Sequence, residues 1–293
     1  MAALSNKIDF AALISVNKAN SNGDPLNGNR PRTDYNGLGE ISDVCIKRKI
    51  RNRMQDLGNT IFVQSDDRCD DGFGSLSARA EAKIGKTGKG KGNDLTREEY
   101  AKKACSLFLD VRSFGQVFAF GKSDDSDSVS VGVRGPVSIH QAASVSPIEI
   151  ETYQITKSTN GSQKDTDKGV RGKDTMGMKH FVRFGLYIIK GSINVQLAEK
   201  TGFTQEDAEA IKECLRTLFV NDASSARPEG SMEVVKLYWW QHNCKDGQYS
   251  SAKVHRSIHV TPKDSIALPS CVDDYDITLD ELPGLVPEII DGI

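Results

Sequence analysis

The chain has 293 residues, 38% of them hydrophobic and 27% charged, with a formal net charge of −2. That size fits one large domain with insertions or two small ones, with a real core and many exposed segments. No apolar run approaches the ~20 residues of a membrane span, and residues 1–7 lack the apolar core of a secretory signal, so the chain is expected in the cytoplasm with no membrane partner.

The first predicted element is a strand over 8–16, with Ile8, Phe10, Ala12, Ile14 and Val16 alternating onto one face. A loop over 17–32 follows, rich in amides and turn formers, and is expected to hold a fixed, non-repetitive shape. A helix is predicted over 41–57. It carries Ile46, Ile50, Met54 and Leu57 on one stripe, with Lys47, Arg48, Lys49, Arg51 and Arg53 beside and opposite it. A buried stripe flanked by cations, after an amide-rich loop, suits a negatively charged backbone. The plainer alternative is a solvated helix face beside a long connector.

Residues 60–63 suggest a short strand. The polar stretch 64–93, glycine- and lysine-rich in its second half, is expected to be a mobile insertion. It is no phosphate loop: the glycine required five residues before Gly85-Lys86-Thr87 is Ala80, and before Gly121-Lys122-Ser123 it is Gln116. Thr96 and Glu99 form a capping box for a helix over 97–110. Next, Arg112, Phe114, Gly115 and Val117 fit an RNA-recognition strand pattern that Ser113, Gln116 and Ala119 break. A hairpin is expected to lead into 129–139.

Apolar periodicity vanishes over 157–183, where seven bases oppose three acids for a net of +4. This is either a basic arm reaching over a bound strand or a disordered surface loop. Alternation resumes at Phe184, Leu186 and Ile188 and again at Ile193, Val195 and Leu197, with Gly191 as a possible bulge. Thr204 and Asp207 start a helix with the stripe Ala208, Ile211, Leu215 and Leu218. Residues 232–240 read as a central strand that sends Trp239 and Trp240 to opposite faces. Residues 257–261 suggest one more strand. Residues 262–293 hold one base against eight acids, a net of −7, which leaves +5 on 1–261. Such a tail is a candidate cover for a basic groove.

The element order gives an α+β fold on the ferredoxin-like plan that RNA-recognition domains share, with two large basic interruptions. The six cysteines form no C-x-x-C pair and are read as reduced thiols. His242-x-Cys244 and His255-x₃-His259 match no standard zinc spacing, and neither a metal nor a cofactor is expected.

Three segments together are familiar: Asn20-Ser21-Asn22-Gly23-Asp24-Pro25 through Arg30-Pro31-Arg32, Asp110-Val111-Arg112-Ser113-Phe114-Gly115, and Arg134-Gly135-Pro136-Val137-Ser138-Ile139. With them the chain resembles, over nearly its whole length, the CRISPR-associated backbone subunit that coats guide RNA in type I Cascade complexes, most closely the subtype I-C form. The resemblance implies a single hand-shaped domain: a modified RNA-recognition-motif palm (1–63, 94–155 and 181–261), a finger-like insertion (64–93), a thumb-like arm (156–180) and the acidic tail. It implies copies stacked head to tail on crRNA, other Cascade subunits as partners, and target DNA engaged through guide pairing.

A guide-coating subunit must accept any sequence, so it should grip phosphate and ribose and leave base edges free. Arg48, Lys49, Arg51 and Arg53 are the leading phosphate candidates, with Lys47 beside them. Asn20, Asn22, Arg30 and Arg32 would position the backbone from the loop. Arg112 and Arg134 belong to the familiar segments, and Lys157, Lys168, Arg171, Lys173 and Lys179 to the arm. Met176 or Met178 would wedge under a displaced base or pack on a neighbouring subunit. The reading is a non-catalytic scaffold. Its rival is a metal-dependent target-RNA endonuclease of the similar type III class, using Asp24 or Asp34. A third reading is a single-strand RNA-binding module outside CRISPR biology.

Overall fold

The computed structural model describes residues 3–87, 94–119, 130–156 and 176–293. The elements run in this order: β1 (Ile8–Ala19), β2 (Gly23–Asp24), β3 (Arg30–Pro31), β4 (Leu38–Ile41), α1 (Asp43–Asp56), α2 (Leu76–Lys83), α3 (Arg97–Leu107), α4 (Leu109–Phe114), β5 (Gly115–Phe118), β6 (Val131–Arg134), β7 (Val137–Ile139), β8 (Ala142–Pro147), β9 (Ile150–Thr156), β10 (Met176–Ile193), α5 (Val195–Thr201), α6 (Gln205–Arg216), β11 (Met232–Gln241), α7 (Ser251–Arg256), β12 (Ile258–Pro262), β13 (Tyr275–Leu279) and β14 (Glu288–Asp291). The main sheet is antiparallel in the order β14-β11-β1-β10-β8-β4, and β7 and β9 also pair with β10.

The expected alternation of β1 is present. Ile8, Phe10, Ala12, Ile14 and Val16 face a core shared with Ile46, Ile50 and Met54 of α1 and Ala208, Ile211 and Leu215 of α6. Phe10 stacks on Trp239 at 5.6 Å between centroids. The opposite face is covered too: Ala11, Leu13, Tyr238 and Trp240 pack on Val254, Ile258, Leu282 and Leu285. The two tryptophans therefore serve different cores, as period-two geometry requires. Both predicted capping boxes form, at Thr96/Glu99 and Thr204/Asp207.

Several expectations are corrected. Residues 60–63 are not a strand, because their backbone is claimed by a side chain: the Asp110 carboxylate accepts the Phe62 and Val63 N–H groups at 2.7 and 3.0 Å. The described part of 64–93 is folded. Ala80 and Ile84 join Phe62, Tyr100, Ala104, Phe108, Val111 and Phe118 in a second core. Residues 109–114 are helical, and Gly115, at φ +80°, turns the chain into the β5–β6 hairpin.

Gly191 marks no bulge. It sits in unbroken pairing with Phe10 and Ile139, where a Cβ would fall 2.2 Å from Phe10 Cζ. Residues 195–201 form a helix, not a strand. Asn194 accepts the Leu197 N–H at 2.8 Å to cap α5, and Val195 and Ala198 are buried on one stripe. Nor is the acidic C-terminal segment a loose tail: β13 pairs with β12, and β14 forms the edge of the main sheet beside β11.

Candidate nucleic-acid interface

The C-terminal end of β1 opens into the amide-rich loop, which the structure shows as a set of tight turns. Asn20 is buried and donates from Nδ2 to the Asn29 carbonyl at 2.7 Å. Asp24 caps a 3₁₀ turn over Pro25–Asn27, and Gly28 and Asn29 both sit at φ +59° to reverse the chain. Asn22 accepts the Ser42 N–H at 2.9 Å, joining the loop to the start of α1. The Asp34 carboxylate accepts the Asn36 and Leu38 N–H groups, each at 2.8 Å. These turns leave Leu26 and Tyr35 essentially fully exposed.

Against this loop lies a two-stranded arm, β9 paired with the first part of β10 from Met176↔Thr156 to Val182↔Ile150. Alternation divides its side chains. Met176, Met178, His180 and Thr152 lie on one face. There Arg30 reaches Thr152 Oγ1 at 3.5 Å, and Met176 and Met178 are more than half exposed. Tyr153, Lys179 and Phe181 lie on the other, with the Lys179 amine 6.0 Å from the Phe181 ring centre and 3.4 Å from the Ser225 carbonyl. The 222–231 segment closes the same end, where the Asn20 N–H donates to the Ala226 carbonyl at 2.9 Å. Loop, arm and 222–231 segment thus meet at one end of the sheet. Asn20 Oδ1 and Arg32 Nε are buried there without partners among the described residues. The Arg32 guanidinium lies 3.4 Å from Asp24.

The basic helix behaves otherwise. Arg51 is held by the buried Asp110 at 2.9 Å, Arg53 by Thr217 at 2.7 Å, and Arg48 by the Val63 carbonyl at 2.8 Å. Lys49 is buried and pairs with Asp222, while Lys47 pairs with Asp43 one turn away at 3.1 Å. Burial pushes the Lys49 amine below its ordinary pKa, against the pull of Asp222. Burial and the neighbouring Arg51 do the same to Arg48. These cations have intramolecular partners because α1 packs against α6 and runs beside the 60–63 segment and Asp110, whose acceptors its bases reach. Arg112, likewise, forms a two-point pair with Asp207 at 2.9 and 2.8 Å. Arg134 is exposed at the end of β6. Lys157, Lys168, Arg171 and Lys173, with most of the expected thumb, lie outside the described residues.

Leu26, Tyr35 and Tyr153 are large exposed side chains at this end that the sequence reading does not single out; the available signal for Leu26 and Tyr35 is a large apolar side chain among turn formers. Among the described residues no three His, Cys, Asp or Glu side chains gather as a metal site, and no helix is long and apolar enough to cross a membrane. All six cysteines are free thiols.

The family model for CRISPR-associated protein Cas7 matches residues 6–280. A CRISPR-associated protein Cas7 of Haloferax volcanii is 25% identical, with 98% of this chain and 85% of that protein covered. A solved chain of a CRISPR RNA-guided surveillance complex, pre-nicking, has a TM-score of 0.51 at 18% identity, covering 85% of this chain and 81% of that one, which is a likeness of fold. A second chain, from a CRISPR RNA-guided surveillance complex, has a TM-score of 0.42 at 20% identity, with 80% and 68% covered. With nearly its whole length matched by the family model, this chain belongs to the Cas7 family of CRISPR-associated proteins.

Proposed function

We propose that this protein is a non-catalytic, cytoplasmic backbone subunit of a type I-C Cascade surveillance complex. It holds crRNA by sugar and phosphate, multiplies head to tail along it with other Cascade subunits, and displays the spacer to target DNA. Family membership supports the assignment. The observation that carries the RNA-binding site is the convergence of the amide-rich loop with the β9–β10 arm, where Arg30 reaches Thr152 on the face of exposed Met176 and Met178, and Lys179 stands across from exposed Tyr153 on the other face. Cations with adjacent exposed aromatic and thioether groups suit a strand gripped without base reading. The order β11-β1-β10-β8, with α1 following β1 and α6 following β10, supports a ferredoxin-like palm.

The endonuclease alternative finds no support in the loop carboxylates. Asp24 is occupied by the Leu26 N–H and Arg32, and Asp34 by two backbone N–H groups. Each accepts hydrogen bonds within its own turn.

Light scattering on a sizing column, with the 260/280 nm ratio followed before and after ribonuclease, tests the reading. A large, nucleic-acid-rich species that collapses on digestion is expected. A nucleic-acid-free monomer that ignores added guide-length RNA would overturn it.

A further inference from the structure

On the sheet face away from α1 and α6, a cavity of about 520 Å³ opens between β8, β10 and β12. Its walls include His140, Ser144, Ile188, Lys190, Val260 and Thr261. Lys190 is half-buried on β10, and among the described residues its amine has no hydrogen-bond or ion-pair partner. The His140 N–H donates to the Lys190 carbonyl at 2.9 Å, which brings the two residues level across the sheet. His140 is exposed and stands edge-on to the buried His255 ring at 5.7 Å. His255 is fixed by the Gly191 carbonyl at 3.0 Å. Of the carboxylates nearby, Asp280 pairs with His259 at 2.8 Å and the buried Asp9 with Lys7 and His242, each at 2.9 Å, while Asp276 stands opposite Thr261 on β13.

An ammonium without a counter-ion in a concave, partly apolar site is a point at which an anion from outside would bind. The third wall adds a different chemistry. The Asp280 N–H bonds to the Ser257 carbonyl at 2.8 Å and the Lys263 N–H to the Asp274 carbonyl at 2.9 Å, which fixes the hydrogen-bond alternation of the β12–β13 ribbon. The main-chain groups of Ile258 and Val260 therefore turn away from β13, and both residues line the cavity. A lysine and a histidine on one side, apolar Ile188 and Val260 in the lining, and main-chain donors and acceptors at the edge make a site of small-molecule size.

We propose that the cavity between β8, β10 and the open edge of β12 binds one nucleotide unit, its phosphate on Lys190 and His140 and its base against Ile188 and Val260. The phosphate belongs either to a free mononucleotide or to one residue of a strand. The site is independent of the loop–arm interface: Lys190 lies eleven positions beyond Lys179 on β10, roughly 36 Å at a strand's ~3.3 Å rise.

Calorimetric titration of the full chain with inorganic phosphate, adenosine monophosphate and a short single-stranded oligonucleotide tests this. The variants are Lys190→Met, His140→Gln and, as a control at the other site, Arg30→Ala with Lys179→Ala. Mononucleotide binding that falls tenfold or more in Lys190→Met and severalfold in His140→Gln, but holds in the double control, is expected; oligonucleotide binding, which the loop–arm surface also supports, is expected to fall in Lys190→Met and His140→Gln as well as in the double control. Mononucleotide binding identifies a free ligand, and binding of the oligonucleotide alone identifies a strand. Thermal melting checks that Lys190→Met is folded, and exposed His140 provides a variant that does not disturb packing. Absence of binding by either nucleotide ligand, indifference to both variants, or phosphate bound as tightly as the mononucleotide would overturn the proposal.

Discussion

Asp110 has no solvent exposure and accepts three hydrogen bonds, from the Phe62 and Val63 N–H groups and from Arg51. Removing that carboxylate takes the acceptor from two backbone N–H groups and the ion-pair partner from the Arg51 guanidinium. Asp110→Ala should therefore cost about 3–5 kcal/mol in urea unfolding. A loss within experimental error would show that the 60–63 segment is held by something else. Asp71 gives the same region a pH response. Hydrogen bonds from Arg79, itself buried, hold the Asp71 carboxyl at about 2, below the ordinary 3.8. A depressed carboxyl stabilises the fold above the unfolded value, and that contribution is lost as pH falls from 3.8 toward 2. The urea midpoints of the wild type and Asp71→Asn should differ at neutral pH and converge on acidification through that range. A constant gap would mean that the Arg79 pair does not report on folding.

At the level of elements, the acidic C-terminal segment shows what charge counting conceals. Its −7 invites the reading of an electrostatic cover for a basic groove, yet β14 pairs with β11 from Lys236↔Asp291 to Trp239↔Glu288. Lys212 and Lys236 meet Glu288 and Asp291 at 2.9 and 2.8 Å. Truncation after Pro287 should therefore bare an edge strand and produce aggregation visible by light scattering, with no gain in RNA affinity. A monomeric truncate that binds RNA more tightly at low salt would restore the cover. The same contrast explains what was legible. Strands and helices with strong periodicity and caps, β1, α6 and β11 among them, follow from local rules. The 60–63 segment, α4 and α5 do not, because their conformations are set by Asp110, by Gly115 and by the Asn194 cap. Gly115 and Gly135 make the point sharply: a Cβ on either would lie 2.7 or 2.5 Å from the other's backbone nitrogen, so two of the familiar segments touch where only glycines fit. In one dimension they look like a binding motif, and in three they are a packing contact.

For the whole molecule, the sheet decides which cations reach solvent. The helix α1 packs its stripe into the main core and sets its five bases against Asp43, Val63, Asp110, Thr217 and Asp222, whereas β1, β10 and the 222–231 segment deliver their polar ends to one edge. Charge density along the chain points to the helix, and tertiary packing offers the loop and arm as a second candidate surface. Salt dependence separates the two. Removing one cation that neutralises a phosphate of a single strand should lower the slope of log affinity against log salt by about 0.7. Arg30→Ala and Lys179→Ala should each reduce that slope, and their effects should add, because the two side chains lie on opposite faces of the arm. Arg51→Ala should lower the melting temperature and, while the protein remains folded, leave the slope unchanged. The reverse result, a reduced slope for Arg51→Ala alone, would mean that RNA draws α1 away from Asp110 and that the binding surface is made only in the complex.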